Sequence, residues 1–196
     1  MAKKGLSKLV LADYSANGNT VTYSQAANQE KLASYSWEVT RSNTDDLYLD
    51  NAVAETDGGN FSSGSLTLVT GDLMDETSQK ILNVKTAQVS VGSSNVTEII
   101  LDDKTTGKTL GVGLMELHQV NNVDFYRAIW FPKVQFNIPA GSATTKGASV
   151  EWQTQEITGT ILRSDAVDSD GGHPWQTHAD FETEADALAY LMVKAS

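Results

Sequence analysis

Residues 122–138 read NVDFYRAIWFPKVQFNI, and apolar side chains recur there at every second position. Successive side chains of a β-strand point to opposite faces, so this alternation predicts a strand. Proline has no backbone N–H to donate to a sheet, so we expect a bend or bulge at Pro132. Pro132 interrupts a series on one face that consists of Tyr126, Ala128, Trp130, Val134, Phe136 and Ile138. The stretch predicts a sheet-forming protein and carries no catalytic motif.

The composition is that of an acidic chain with an ordinary apolar content. Its 196 residues suit one domain with a small appendage. The formal net charge of −11 disfavours sequence-independent binding of nucleic acid, which requires a basic patch. The chain has no Cys, which excludes disulfides and thiolate metal sites. Its apolar runs are short of a membrane span and no signal peptide is evident, so cytoplasmic synthesis is expected.

Several further segments have the composition and alternation of strands. They cover residues 5–14, 20–24, 34–40, 61–70, 96–101, 110–120 and 148–163. The Asn-Gly turn at residues 17–19 predicts a hairpin between the first two. Within the last segment, the apolar phase changes between residues 150–152 and 157–161, which indicates a bulge or a break into two strands. The expected fold class is therefore mainly β.

Two segments carry helical signals. Asp72 is a candidate N-cap for a core helix over residues 72–84, with an apolar stripe of Leu73, Thr77, Ile81 and Val84. A short C-terminal helix is expected after Thr183, which resembles a capping box with Asp186. This helix should dock through Leu188, Leu191 and Met192.

The chain divides by composition near Arg163. Residues 164–186 hold seven acidic residues and no Lys or Arg. We therefore expect a β domain at residues 1–163 and an acidic loop-and-helix extension at residues 164–196. We expect the extension to be peripheral to any assembly, because its loop has little apolar surface to bury.

Residues 41–60, RSNTDDLYLDNAVAETDGGN, are long for a connection. Loops longer than about 12–15 residues in a compact domain are usually functional or disordered. The segment is acidic and rich in turn residues, and its apolar island is costly to leave in water. We expect a protruding arm or hairpin that contacts a neighbouring subunit. The candidate contact residues are Asp45, Asp46, Leu47, Tyr48, Leu49, Asp50 and Asn51.

Recognisable catalytic or ligand-binding patterns are absent from the sequence. His173 and His178 lie near Asp168, Asp170 and Asp180, but the spacing matches no metal motif, and a structural or solvated loop is favoured. The DSDG sequence resembles a calcium loop but lacks the first ligand and the distal Glu. No nucleophile motif of the G-x-S-x-G type occurs. We expect no catalytic residues, cofactor or metal.

Four aromatic residues suggest an alternative function. Trp37, Trp130, Trp152 and Tyr126 are candidates for a platform on which sugars stack. Trp37 and Trp130 lie on strand faces with other apolar residues, so a core or subunit interface is favoured. The alternative is a carbohydrate-binding or adhesin-like β-sandwich module.

The order of elements resembles the major tail proteins of long, non-contractile tailed bacteriophages, which are the subunits of the tail tube. The resemblance covers residues 5–163 and rests on an ordered series of segments. These are GLSKLVLA, NTVTY, DNAVAET, GSLTL, GDLMDE, YRAIWFPKVQF and SVEWQTQEITGTIL. Residues 164–196 match this pattern least, and nothing is carried over to them.

The resemblance implies a β-sandwich or barrel-like subunit with one core α-helix. Such subunits form hexameric rings that stack into a tube and conduct the genome. The family has no catalytic residues to transfer, so the protein would not be an enzyme. Its partners would be further copies of itself and the tape-measure, tail terminator and distal tail proteins. It would be located in the virion tail after synthesis in the host cytoplasm, without a membrane.

The acidic composition fits such a conduit. Like charge keeps the phosphates of phage DNA from adhering to the wall, so the DNA would pass through without specific binding. We therefore expect the surface facing the lumen to be net negative.

Overall fold

A computed structural model describes residues 2–28, 31–42, 46–56, 58–71, 75–141 and 154–196. The fold is mainly β, as expected. Its strands are β1 (Ala2–Asn17), β2 (Thr20–Asn28), β3 (Leu32–Arg41), β4 (Asp46–Leu49), β5 (Ala52–Thr56), β6 (Phe61–Thr70), β7 (Lys85–Val91), β8 (Ser94–Ile100), β9 (Thr109–Val120), β10 (Val123–Phe136), β11 (Gln155–Leu162) and β12 (Thr177–Phe181). The helices are α1 (Asp75–Ile81) and α2 (Glu184–Lys194).

Eight strands form one antiparallel sheet, which we call the main sheet. The strand order is β2-β1-β9-β10-β11-β6-β3. One edge of β10 is shared, because β12 pairs with Tyr126–Trp130 and β11 pairs with Lys133–Phe136. Strands β1 and β3 lie near opposite ends of the strand order but approach each other in space, so the sheet curves towards a barrel-like closure. This architecture agrees with the expected sandwich or barrel-like class.

The main sheet buries apolar residues on both of its faces. In β1, Leu9 and Leu11 face one core, whereas Val10 and Ala12 face another. Neighbours along a strand point to opposite sides, so these cores lie on opposite faces of β1. We call the first the central core; it contains Leu9, Leu11, Leu66, Leu68, Ile81, Leu82, Leu110, Val112, Leu114, Ile129, Phe131, Val134, Phe136, Ile157 and Ile161. We call the second the outer core; it contains Val10, Ala12, Met115, Ala128, Trp130, Ala187, Leu191 and Ala195.

The expected irregularity at Pro132 is present and changes the faces of β10. The pairing of β10 with β9 shifts between Phe131 and Val134. Before the shift, Trp130 lies in the outer core; after it, Val134 and Phe136 join the central core. The sequence assigned these three residues to one face, and that assignment is wrong. A one-residue shift exchanges the two faces of a strand, so the alternation does not continue through the bulge.

The core helix is shorter than the predicted residues 72–84. Helix α1 ends at Ile81, because Leu82 forms an isolated β-bridge instead. Ile81 is buried in the central core as expected, and Val84 packs against the same core from beyond the helix. Residues 72–74, which include the expected cap and Leu73, lie outside the described residues.

Local turn chemistry explains the first hairpin. Asn17 pairs with Thr20, so Gly18 and Asn19 form the connection between β1 and β2 as predicted. Gly18 has a φ of 59°, a conformation that glycine adopts without steric cost. The predicted strand at residues 148–163 is described from Gln155 onward, and Val150 and Trp152 lie outside the described residues.

The segment at residues 164–196 contains a strand in addition to the expected loop and helix. Strand β12 is hydrogen-bonded to β10 along Tyr126–Trp130 and is part of the main sheet. Its sequence, THADF, is short, and its pairing partner lies far away in the chain. Neither feature gives a local signal, so the strand was not predicted.

Helix α2 covers the outer core. Thr183 caps it as predicted, because its Oγ1 accepts a hydrogen bond from the backbone N–H of Asp186 at 3.1 Å. Leu191 is fully buried, as expected. Met192 is instead 38% exposed, and Ala187 occupies the buried face. The helix therefore docks on its own subunit through a slightly different stripe.

Candidate subunit interfaces

The excursion predicted at residues 41–60 contains a hairpin separate from the main sheet. Strands β4 and β5 pair only with each other in the described chain and form a two-stranded sheet. Asp50 and Asn51 connect them with φ values of 50° and 62°. Two positive φ values mark a type I′ turn, and Asp and Asn tolerate this conformation better than most residues. We call residues 46–56 the arm.

The tip of the arm presents apolar side chains to solvent. Tyr48 is 62% exposed and Leu49 is 59% exposed. Val53 is paired with Tyr48 across the hairpin and is also exposed. Burying a large apolar side chain stabilises a structure by about 1.5–3 kcal/mol, so the tip has free energy to gain from a partner. Of the other candidate contacts, Asp45 lies outside the described residues, and Asp46 and Leu47 lie in β4.

Hydrogen bonds between Ser42 and Asn60 close the base of the excursion. The backbone N–H of Ser42 donates to the carbonyl of Asn60 at 2.7 Å, and the N–H of Asn60 donates to Ser42 Oγ at 2.9 Å. Gly59 has a φ of 62°, and a Cβ there would lie 2.3 Å from the carbonyl oxygen of Ser42. The close approach requires glycine. We call this contact between Ser42 and Asn60 the clamp; it joins the chain just after β3 to the chain just before β6.

Strands β7 and β8 form a second hairpin. The strand predicted at residues 96–101 covers most of β8, whereas β7 was not predicted. One face is polar and satisfied: Gln88 Nε2 donates to Thr97 Oγ1 at 2.8 Å, and Ser90 Oγ donates to Asn95 Oδ1 at 2.7 Å. The other face is mixed: it exposes Val89, Val91, Val96 and Ile100, together with the charged residues Lys85 and Glu98. The alternation of Ala87, Val89 and Val91 with Gln88 and Ser90 was a signal that would have predicted β7. The second hairpin therefore presents a further partly apolar surface, and in the described chain its strands pair only with each other.

A groove of about 310 Å³ opens at the base of the second hairpin. Leu101 and Ile138 line it and are 60% and 53% exposed. The remaining lining residues are Ser78, Leu82, Val84, Ile99, Pro139, Ala140, Gly141 and Gln155. None of these side chains is charged, so the groove suits an apolar group. Its walls come from separate segments, and no single stretch of sequence indicates it.

Strands β3, β6 and β11 present a hydroxyl-rich face away from the central core. Ser36, Thr67 and Thr158 form one row of cross-strand partners. The adjacent rows contain Glu38, Ser65 and Thr160, and Ser34, Val69 and Glu156. These three rows, which we call the hydroxyl face, carry two Glu and no Lys or Arg. Their side chains are exposed or half-buried.

A buried ionic cluster lies on β9. Lys3 Nζ and the Tyr35 hydroxyl donate to Glu116 Oε1, and His118 Nε2 lies 2.7 Å from Glu116 Oε2. Burial raises the pKa of Glu116, but hydrogen bonds from Lys3, Tyr35 and His118 outweigh it and hold the pKa below its usual value. Burial makes the largest contribution to raising the pKa of Tyr35, and the neighbouring Glu116 carboxylate raises that pKa further. Glu116 is thus a charged structural link between β1, β3 and β9.

The aromatic residues of the proposed sugar platform do not lie together. Trp130 is buried in the outer core beneath α2, and Tyr126 packs against the same core. Trp37 lies on the other side of the sheet, 5.6 Å from Trp175 and 6.5 Å from Phe131 between ring centroids. Trp152 lies outside the described residues. The structure therefore separates the three described members.

The acidic loop makes internal contacts in place of a metal site. His173 Nδ1 donates to the carbonyl of Ser164 at 2.8 Å. Asp168 Oδ1 accepts hydrogen bonds from the backbone N–H groups of Asp170 and Gly172. Among the described residues, no group of three or more His, Cys, Asp or Glu is placed to hold a metal ion.

Neither helix in the described parts of the chain has the length and apolar character that crossing a membrane requires. The chain matches no protein-family model, and the search of curated proteins found no relative.

Proposed function

We propose that this chain is the self-assembling subunit of a bacteriophage tail tube. In this proposal, hexameric rings of the subunit stack into a tube that conducts the genome during ejection. The order of sequence segments suggests the family. The observation that carries the proposal is the arm, a self-paired hairpin that holds Tyr48 and Leu49 in solvent.

The construction of the arm favours a role in contacts between subunits. Its base is clamped by Ser42 and Asn60, and its turn has a defined conformation. A hairpin whose strands are already paired loses less conformational entropy on docking than an unstructured loop of the same length. A second copy of the chain is the partner that is present wherever the protein is made.

The edges of the main sheet give a second reason for assembly. Strands β2 and β3 are at the two ends of the strand order in the described chain. Unpaired edges invite uncontrolled pairing with other chains, and a closed ring of joined sheets removes them. A head-to-tail contact that closes by rotation gives such a ring.

The hydroxyl face has the chemistry that the wall of a DNA conduit requires. Its Ser and Thr side chains are uncharged, and Glu38 and Glu156 repel phosphate. We infer that this face lines the lumen. Phage DNA would then slide through without specific binding, and the other tail proteins would meet the ends of the tube. The site of action would be the virion tail.

Negative-stain microscopy of the concentrated, purified protein tests the proposal. We expect rings or tubes from the natural chain. A double variant, Tyr48→Asp with Leu49→Asp, should remain monomeric with an unchanged Tm, because both side chains are exposed in the subunit. Val193→Asp on the exposed side of α2 is the matched control and should assemble normally.

Dispersed monomers at all concentrations would contradict the tail-tube proposal. If such monomers also bound to immobilised polysaccharides, the carbohydrate-binding module would become the better explanation. Normal tubes from the arm variant would show that another surface drives assembly.

A further inference from the structure

We propose that the tip of the arm docks in the groove at the base of the second hairpin of a neighbouring copy. The inference rests on the proposed function for its premise that copies of the chain assemble. It goes further by pairing two specific surfaces of the subunit, the exposed apolar tip of the arm and an apolar groove.

The groove requires an apolar occupant. It is lined by Leu82, Val84, Ile99, Leu101 and Ile138 without a charged side chain. Its volume of about 310 Å³ lies at the lower end of the range for binding pockets, roughly 300–1,000 Å³, and suits a few side chains better than a large ligand. Leu101 and Ile138 remain more than half exposed in the described chain.

The arm tip provides such an occupant. Tyr48 and Leu49 precede the Asp50–Asn51 turn, so they project at the end of the hairpin. Successive residues of a strand point to opposite faces, so Tyr48 and Leu49 flank the two sides of the tip. Tyrosine is among the residue types enriched at binding hot spots. Within its own chain the arm makes contacts mainly between β4 and β5, so its tip stays available.

The charges of the two surfaces are complementary. The arm carries Asp46, Asp50 and Glu55 and has no Lys or Arg. Residues 80–108 supply Leu82, Val84, Ile99 and Leu101 to the groove and hold four lysines against three acidic residues, a net charge of +1 in a chain of net charge −11. One of these lysines, Lys80, is ion-paired with Asp13. Lys85 is ion-paired with Asp102 but its side chain is still 66% exposed. Opposite charges around an apolar contact steer association and fix its register.

The contact joins two different surfaces of the same molecule. Such a heterologous contact leaves one free arm and one free groove on every pair, so it can continue from copy to copy. It therefore yields closed rings or open stacks, whereas a tip-to-tip contact would stop at a dimer. The groove would then be the site on each subunit that binds the arm of the next subunit.

Cysteine crosslinking tests the pairing directly, because the natural chain contains no Cys. Leu49→Cys is prepared with one affinity tag and Leu101→Cys with another. The two full-length variants are mixed under assembly conditions and treated with a short bismaleimide. We expect a crosslinked heterodimer as the main product. Its yield should fall about tenfold when the natural chain is added in roughly tenfold excess, because the natural chain competes for both surfaces by mass action.

The controls use equally exposed positions elsewhere. Val123→Cys at the β9–β10 turn and Val193→Cys on α2 replace exposed residues and should give little product with Leu49→Cys. Leu101→Asp alone should abolish assembly while leaving the Tm unchanged. Ile138→Cys, on the other wall of the groove, should crosslink to Leu49→Cys as Leu101→Cys does.

The outcomes separate this inference from the proposed function. Tubes that form without an arm-to-groove crosslink would overturn the inference and leave the tail-tube proposal standing. Crosslinked oligomers that never become rings or tubes would support the contact and contradict the tail-tube proposal. Homodimers of Leu49→Cys as the main product would also overturn the inference. The same holds if the thiol introduced by Leu101→Cys were protected from maleimide in the monomer, because the groove would then be closed.

Discussion

The backbone N–H of Ser42 donates to the carbonyl of Asn60 at 2.7 Å, and this hydrogen bond joins the end of β3 to the start of β6 at the base of the excursion. The contact joins residues on either side of the excursion and so closes its base. Gly59 makes the approach possible because it has no Cβ. The clamp therefore depends on the small side chain at position 59 as well as on its own hydrogen bonds.

Gly59→Ala should open the base of the arm. The new Cβ would lie 2.3 Å from the carbonyl oxygen of Ser42, and the φ of 62° is itself unfavourable for alanine. We expect a loss of about 1–3 kcal/mol, localised at the clamp. Hydrogen exchange at the amides of Ser42 and Asn60 should accelerate. Gly58→Ala is the control, because no atom lies within 4 Å of its Cβ position, and an equal effect there would refute the clamp.

Ile81→Asp should destabilise the subunit severely. Ile81 is buried in the central core at the end of α1, and the substitution places an unpaired charge there. The expected cost is about 3 kcal/mol or more, measured by urea denaturation. Val193→Asp, on the exposed side of α2, should change the free energy of unfolding little. An unchanged midpoint for Ile81→Asp would show that α1 does not pack on the core.

Leu191→Ala should show that α2 is part of the folded subunit. Leu191 is fully buried in the outer core, so truncation removes apolar contacts and leaves a cavity. The expected loss is about 2–5 kcal/mol, measured by urea denaturation. Trp130 lies in the same core, and its fluorescence should report the loosening by a red shift. Met192→Ala, at the adjacent and more exposed position, should stay within about 0.5 kcal/mol of the natural chain.

Glu116→Gln should weaken the subunit at neutral pH and alter its acid sensitivity. Burial acts to raise the folded-state pKa of Glu116, but hydrogen bonds from Lys3, Tyr35 and His118 outweigh it and lower the pKa from 4.5. The stability from this shift is therefore present above pH 4.5 and is lost as the pH falls through the folded-state pKa. We expect a cost of about 1.5–3 kcal/mol at neutral pH, with a smaller difference between the two proteins in acid.

Urea denaturation at several pH values measures this effect. Glu182→Gln, at an exposed carboxylate, is the control and should follow the natural chain throughout. A difference between Glu116→Gln and the natural chain that stayed constant into acid would mean that the ionic cluster does not set the pH dependence.

Lysine on the hydroxyl face should convert the proposed lumen into a DNA-binding surface. Ser36→Lys with Thr67→Lys adds positive charge to adjacent positions on β3 and β6. Assembled tubes of this variant should retain DNA in co-sedimentation at low salt, and the binding should fall steeply as salt rises. Tubes of the natural chain should retain none. Equal DNA binding by a Val193→Lys control would place the effect on the outside of the tube.

Local signals made part of this fold predictable from sequence. The Asn-Gly turn identified the first hairpin, and the alternation in residues 61–70 gave the bounds of β6. The apolar island at Tyr48 and Leu49 identified an exposed tip because the surrounding segment is polar and acidic.

Non-local pairing explains what the sequence did not reveal. Strand β12 has only five residues and is defined by its partner β10, which lies about fifty positions earlier in the chain, as the Arg127–Asp180 pair shows. The groove draws Leu82, Leu101 and Ile138 from separate segments. Such features depend on the packed structure, and periodicity within a single window carries no information about them.

The bulge at Pro132 limits how the length of β10 can vary. Residues before it contribute to the outer core, and Val134 and Phe136 after it contribute to the central core. The hydroxyl of Tyr23 donates to the carbonyl of Pro132 at 3.0 Å and holds the irregular backbone in place. Loss of one residue here would turn Val134 and Phe136 outward together. Related sequences should therefore differ at this point by substitution, or by paired length changes that restore the alternation.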